Sequence, residues 1–320
     1  MSSRLGYFGP AGTFAEAAMH RVRAELSEWA NAEPVPLATV ARAIAAVRDG
    51  TVAGAVVPIE NSVEGGVPAT LDALAAGAPL QIRHEVVLPI RFVLGVQPGT
   101  TLQQVRVVAT HPHAEAQCRA WLSDNLPAAA VRTSYSTAGA AEAVSLAGLL
   151  ADPADRPDAS VSSPEAARRY GLDVLAPDIA DNPGAETRFV LVAHPSPAPA
   201  PTGADKTTML LYMRADRSGA LLAMLTELAV RGINMTRIES RPTRAGMGSY
   251  CFSIDAEGHL DEPRMGEAIM GLRRVCARVV FLGSYPRADR LSPQVREGTR
   301  LSDFDGAQSW LDRLRAGIVD

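Results

Sequence analysis

Asp181-Asn182-Pro183-Gly184-Ala185-Glu186-Thr187-Arg188-Phe189 runs straight into the apolar triplet Val190-Leu191-Val192. Asp, Asn, Pro and Gly together make a turn, and the β-branched run after them makes a strand. A hydroxyl and a guanidinium therefore stand side by side at the mouth of a strand, where open α/β sheets gather their chemistry. Thr187 is the leading candidate for a catalytic group. Taken alone, a Thr starting a strand and a surface Arg are ordinary, so the assignment depends on the rest of the chain.

Working outward, short apolar runs alternate with helix-like segments, the pattern of a parallel α/β sheet. Strands are expected at 5–8, 52–57, 90–96, 105–109 and 188–193, and helices at 13–29, 66–75, 111–125 and 137–150. Ser162-Ser163-Pro164-Glu165 is a helix start, with Ser as the cap, Pro at the first helical position and Glu in the first turn. Pro-containing breaks at Gly77-Ala78-Pro79 and Ala176-Pro177-Asp178 read as crossings between two lobes. The first lobe then spans about 1–76 and 177–193, and the second about 77–176. Such a protein places its ligand in the cleft and can close on it like a hinge.

His194-Pro195-Ser196-Pro197-Ala198-Pro199-Ala200-Pro201-Thr202-Gly203 alternates Pro with small residues and predicts an extended linker over 194–206. It closes a first domain at 1–193. Beyond it the periodicity gives strands at 207–213, 234–240, 249–255 and 278–282, with helices at 219–231 and 261–275. That order is βαββαβ, a ferredoxin-like unit over 207–286. In the tail, 287–320, Leu301, Phe304, Trp310, Leu311 and Leu314 predict an amphipathic helix that docks on the body or on a partner subunit.

Composition narrows the class. Of 320 residues, 47% are apolar, enough for each domain to bury a core, and the net charge is −4 with both signs interspersed. That balance gives no case for nucleic acid or an anionic membrane. No apolar run reaches the roughly 20 residues that span a bilayer and the N-terminus carries no signal segment, so a cytoplasmic protein is expected. Three widely spaced cysteines, Cys118, Cys251 and Cys276, read as reduced core thiols.

Several loops join a strand end, small hydroxyl residues and a helix N-terminus: Gly12-Thr13-Phe14, Asn61-Ser62, Thr110-His111-Pro112, Ser134-Tyr135-Ser136-Thr137 and Ser162-Ser163. Free amides there, aided by the macrodipole, bind anions without many positive charges. Each loop alone reads as helix capping, and only their convergence makes a site. Thr13, Ser136 and Thr137 are the candidates from these loops. Neither Gly65-Gly66 nor Gly9-Pro10-Ala11-Gly12 fits a nucleotide signature, and no His, Cys and carboxylate set has metal-ligand spacing. No cofactor and no metal are expected.

Gly9-Pro10-Ala11-Gly12-Thr13-Phe14, Pro58-Ile59-Glu60-Asn61-Ser62-Val63-Glu64-Gly65-Gly66-Val67, the Thr-Arg-Phe stretch and Ile238-Glu239-Ser240-Arg241-Pro242 follow one another in an order that resembles the prephenate dehydratase family. The resemblance covers nearly the whole chain except the tail. It implies a two-lobed fold like that of type II periplasmic binding proteins, followed by a regulatory ACT domain. It also implies the loss of carbon dioxide and water from prephenate to give phenylpyruvate, on the way to L-phenylalanine. In that family the Thr of Thr-Arg-Phe is needed for catalysis, and its counterpart is Thr187. Thr187 is assigned to the leaving hydroxyl, by donation or relay.

Arg188 and Phe189 are candidate substrate contacts, although an Arg next along a strand can point to the opposite face. Asn61 and Ser62 are expected to hydrogen-bond substrate oxygens. Glu64 is a cleft residue whose charge repels a dianion unless it is protonated or turned away. Glu60 is read as structural, and His111 and His113 rank as general acids below Thr187. Where relatives often carry an Asn shortly before the Thr, this chain has Gly184-Ala185-Glu186; Asn182 substitutes only if the loop folds differently. Starting at the dehydratase motif, the chain is expected to lack the chorismate mutase segment of some relatives.

Gly219-Ala220-Leu221-Leu222 and the stretch from Asn234 to Pro242 resemble the two segments with which ACT domains of phenylalanine-regulated enzymes bind the amino acid across a subunit interface. Gly219, Ala220, Leu221, Asn234, Glu239, Ser240 and Arg241 are therefore the candidate effector residues, in a dimer or tetramer built through these domains. Inhibition by L-phenylalanine is expected, as for a pathway end product. Arogenate dehydratase and a non-catalytic amino-acid sensor with the same cleft are the alternatives.

Overall fold

A computed structural model describes residues 3–149, 156–215, 217–242 and 250–319. The chain divides into two compact units, Met1–Thr70 with Val86–Val190, and Leu71–Glu85 with Leu191–Asp320.

The first unit begins with β1 (Arg4–Phe8), α1 (Phe14–Glu25), β2 (Glu33–Leu37), α2 (Val40–Arg48) and β3 (Gly54–Asn61). Thr13 caps α1 by accepting from Glu16 N at 3.4 Å, and Ala15, Ala18, Met19 and Val22 form its buried stripe. Thr39 caps α2 in the same way, accepting from Arg42 N at 3.1 Å. β2 carries Pro34 and Pro36, tolerated because it is an edge strand bonded only to β1. Neither β2 nor α2 was expected, since a strand with two prolines and a short alanine-rich helix give weak patterns.

The chain continues through β4 (Gly65–Gly66), α3 (Pro68–Ala75) and β5 (Gln81–Pro89). Together with the later β11 (Glu186–Ala193), these strands form a sheet of order β2-β1-β3-β11-β5, with β4 paired to β3. The second sheet holds β6 (Val93–Val96), β7 (Val107–Thr110), β8 (Ala130–Thr133), β9 (Ala159–Ser162) and β10 (Asp173–Ala176), in the order β10-β6-β9-β7-β8. Around it lie α4 (Pro112–Gln117), α5 (Arg119–Asn125), α6 (Thr137–Ser145) and α7 (Pro164–Arg169). Ser163 caps α7, accepting from Ala166 N at 3.0 Å.

The chain passes between the sheets twice. The first passage is Ile90–Phe92, not the break at Gly77-Ala78-Pro79, which leads into β5 of the first sheet. The second follows Ala176 at the end of β10. The two passages are bonded to each other, Ile90 N to Ala185 O at 2.8 Å and Ile179 N to Phe92 O at 2.9 Å. β6 and β10, the strands nearest the passages, run antiparallel to their neighbours, so the sheet is mixed where alternation suggested parallel.

The second unit contains β12 (Asp205–Tyr212), α8 (Ala220–Ala229), β13 (Met235–Pro242), β14 (Tyr250–Glu257), α9 (Pro263–Val275) and β15 (Arg278–Pro286). Its antiparallel sheet has the order β13-β14-β12-β15, which with two helices on one face is the ferredoxin-like arrangement. Met209, Leu211, Met224, Leu228, Ile254, Met265 and Leu272 form the core beneath those helices.

The outer layer of this sheet is polar. Thr208 Oγ1 bonds Asp255 at 2.7 Å and the Tyr285 hydroxyl at 2.6 Å, and the Arg237 Nε bonds Asp255 at 2.9 Å. Residues 71–85 belong to this unit, where Lys206 Nζ meets both oxygens of buried Glu85 at 3.0 Å. Gly283, at φ +134°, sits at a bulge in β15, where a Cβ would come 2.2 Å from Ile82 O. The tail helix, α10 (Leu301–Arg315), leaves Leu301, Trp310 and Leu311 exposed. Among the described residues no helix is long and apolar enough to cross a membrane.

Candidate active site

The first unit contains a cavity of about 580 Å³, within the usual range for a small-molecule site. Its walls are apolar rings and aliphatic groups, Phe8, Phe14, Phe92, Phe189, Ile90 and Val40 among them. Phe14 and Phe92 meet edge to face with centroids 5.8 Å apart. Polar groups enter from Thr13, Asn61, Glu64, His111, His113, Gln117, Ser136, Thr137 and Thr187. Of the sequence candidates, Thr13, Asn61, Glu64, Ser136, Thr137, Thr187 and Phe189 thus line one space, whereas Ser62 and Arg188 do not.

Thr187 is the second residue of β11 and is 7% exposed. Its neighbour is set by an Asx turn at the end of β3. Asn61 Oδ1 accepts from the N–H groups of Val63 at 2.8 Å and Glu64 at 3.1 Å. The amide oxygen must face those donors, so Nδ2 faces Thr187 and donates to Oγ1 at 2.8 Å. Thr187 Oγ1 accepts from Asn61 and keeps its own proton to donate. Asn61, expected to touch substrate oxygens, lines the cavity and also donates to the Thr187 hydroxyl.

Ser62 performs a similar task through the backbone. Its Oγ accepts from Glu186 N at 2.9 Å, and its N–H donates to Glu186 O at 2.9 Å. It ties the loop to the first residue of β11 and so fixes where Thr187 begins. Arg188 lies across the strand from Thr187 and Phe189 by the period of two, and its Nε donates to Glu60 at 3.0 Å with the side chain buried. Asn182 Oδ1 accepts from Gly184 N at 3.0 Å within its own turn and does not line the cavity.

Thr13 and Ser136 are helix caps as well as wall residues; Ser136 Oγ accepts from Gly139 N at 2.9 Å. Two hydroxyls at the starts of α1 and α6 therefore mark two positive helix ends on the cavity wall. His111 caps α4 through Nδ1, which accepts from His113 N at 3.3 Å. Burial, reinforced by the neighbouring His113, lowers the His111 pKa below its usual 6.5, against an opposing pull from Glu64.

Gln117 is a wall residue that the motifs did not single out. Its Nε2 donates to Glu64 Oε1 at 3.0 Å, while His113 Nδ1 lies 2.6 Å from Glu64 Oε2. His113 and Gln117 are four apart on α4, a spacing that places both on one helix face and was readable in the sequence. Among the described residues no group of three His, Cys, Asp or Glu side chains could hold a metal ion.

In the second unit, Gly219 adopts φ +79° and caps α8, with Ala220 and Leu221 opening that helix. Asn234 is exposed before β13, and its C=O accepts from Glu257 N at 2.9 Å. On β13, an edge strand, Glu239 stands between two guanidinium groups, 3.5 Å from Arg237 and 3.9 Å from Arg241. Arg241 also pairs with Asp72 of α3 through Nε at 3.2 Å and Nη2 at 2.9 Å. Ser240, between them, is exposed. The structure thus brings Glu239 and Arg241 together on one strand and places Gly219, Ala220 and Leu221 at a helix start.

The sequence model described as prephenate dehydratase matches residues 5–197, and that of the ACT domain matches 207–274. Prephenate dehydratase of Mycolicibacterium vanbaalenii is 45% identical over 98% of this chain and 98% of its own. The structure of prephenate dehydratase from Arthrobacter aurescens in complex with L-Phe superposes with a TM-score of 0.88 at 44% identity, covering 98% of this chain and 99% of that one. A structure described as GqqA, a novel type of quorum quenching acylase, gives a TM-score of 0.75 at 32% identity over 88% of this chain and 97% of that one. By the match over 5–197 and the near-full-length relatives, this chain belongs to the prephenate dehydratase family.

Proposed function

We propose that the chain converts prephenate to phenylpyruvate in the cavity around Thr187. The observation that carries the reading is the Asn61 to Thr187 hydrogen bond, which leaves the threonine proton directed elsewhere. In the reaction the ring C–O bond breaks and the departing oxygen takes a proton to leave as water. The C–C bond to the ring carboxylate breaks as well, and its electron pair completes the aromatic ring while carbon dioxide departs. Thr187 meets the leaving oxygen, donating or relaying that proton; an aliphatic hydroxyl is a weak acid, and solvent restores the proton. Apolar walls suit the ring and disfavour the charge that the departing carboxylate loses.

The same reading gives residues 1–193 the catalytic role and 207–286 control by L-phenylalanine, through Gly219, Ala220, Leu221, Asn234, Glu239, Ser240 and Arg241. The unpaired side of edge strand β13 offers a second copy of the chain a place to associate, which supports a dimer or tetramer. We place the protein in the cytoplasm. Replacing Thr187 with Ala tests the assignment: kcat falls about a hundred- to ten-thousand-fold while prephenate binding stays near that of the parent. A variant that keeps full kcat would remove Thr187 from the mechanism.

A further inference from the structure

Among the described residues lining the cavity there is no Lys or Arg, and Arg188, whose motif position suggested a grip on substrate, is turned to Glu60. Holding the carboxylates of a ligand therefore falls to uncharged donors and to the two histidines on the wall. The ring of His111 turns its Nδ1 to the start of α4, where it accepts from His113 N at 3.3 Å. A backbone N–H can only donate, so Nδ1 holds a lone pair there and the proton of the ring is on Nε2. Nε2 lies on the edge of the ring away from that bond. Among the described residues it has no hydrogen-bond partner, and it is not one of the unpaired atoms that burial shuts off.

From this arrangement we infer that His111 is a substrate-binding residue, an uncharged imidazole whose Nε2–H donates to a carboxylate oxygen of prephenate. It holds the carboxylate and transfers no proton. The bond that caps α4 also selects the tautomer, so the donor is set by the fold before any ligand arrives. The titratable groups that act on the ring are His113 on its own helix and Glu64 on the loop after β3. Burial and His113 lower its pKa, and Glu64 opposes them. Protonating Nδ1 would break the cap, which favours the neutral ring as well. A neutral donor suits the chemistry: a fixed cation in this cavity would stabilise the carboxylate charge that the reaction must remove, whereas a neutral N–H orients the group and holds its charge less tightly.

This role rests on prephenate being the substrate, so turnover of prephenate by the unaltered chain is measured first. Its absence overturns that reading and this inference with it. Given turnover, kcat and KM are measured for His111→Asn and His111→Gln at pH 7.0 and 8.5, with a melting curve for each. Asn sets its side-chain oxygen where Nδ1 caps α4 but is too short to replace Nε2; Gln carries an amide N–H toward the Nε2 position and gives up the cap. His111→Asn should raise KM about tenfold, with a smaller effect on kcat, and melt near the parent at pH 7.0. His111→Gln should melt lower yet keep KM within about threefold of the parent. A purely capping role predicts the reverse order. The ratio of the His111→Asn KM to the parent KM should be the same at both pH values, because the neutral ring is the donor throughout. A parent-like KM in His111→Asn, a KM as high in His111→Gln as in His111→Asn, or a ratio that falls about tenfold per pH unit, as an imidazolium donor requires, would overturn the inference. Each of these results leaves the substrate reading standing. Should His111→Gln fail to fold, His111→Asn and its KM ratio decide alone.

Discussion

At the residue scale, the site depends on hydroxyl and amide orientation more than on charge. Thr187 was legible as a candidate because turn residues deliver it to a strand mouth, but the sequence could not show what fixes its proton. That is decided by Asn61, whose oxygen is claimed by two backbone N–H groups and whose nitrogen is thereby aimed at Thr187. Arg188 illustrates the converse: its motif position suggested a substrate contact, while strand alternation places it on Glu60. His111 gives a pH prediction. Its folded pKa lies below the ordinary 6.5, so between the two values the unfolded chain holds more protons than the folded one. Stability therefore rises with pH through that window and is lost on acidification below about 6.5. His111→Asn puts a capping oxygen in place of the ring nitrogen and removes the titration, so the drop in melting temperature from pH 7.5 to 5.5, run as paired melts, should shrink. An undiminished drop would assign the acid sensitivity to other groups.

At the element scale, periodicity found those segments whose buried face is wide, such as β3, α1 and the strands and helices from β12 to β15. It passed over β2, whose prolines disguise an edge strand, and β5, whose Arg83, His84 and Glu85 break an apolar pattern. β5 also shows why the first Pro break was misread as a passage: the residues after it continue the same sheet, and the chain leaves only at Ile90. Glu85 is buried because Lys206, at the start of β12, meets it with both oxygens engaged. Such long-range pairing has no sequence signature. Removing one partner of a buried pair strands the other charge, so Lys206→Met should lower unfolding stability by about 3 kcal/mol, read by urea titration. Combining it with Glu85→Gln should recover much of the loss, since no uncompensated charge remains. Equal stability of Lys206→Met and the parent would show that the pair contributes nothing.

At the scale of the whole molecule, the two compact units share elements: α3 and β5 each begin in one and end in the other, and β11 runs from Thr187 toward the Pro-rich stretch. The order of motifs made the family legible along nearly the whole chain. The tail was legible only as a helix, because its apolar side chains remain largely exposed and nothing in their pattern specifies a partner. We propose conversion of prephenate to phenylpyruvate under control by L-phenylalanine. The most direct test is to follow phenylpyruvate formation by the purified protein with prephenate, and separately with arogenate, across a range of L-phenylalanine. Turnover of prephenate should fall as L-phenylalanine is added; no phenylpyruvate from prephenate would overturn the proposed function.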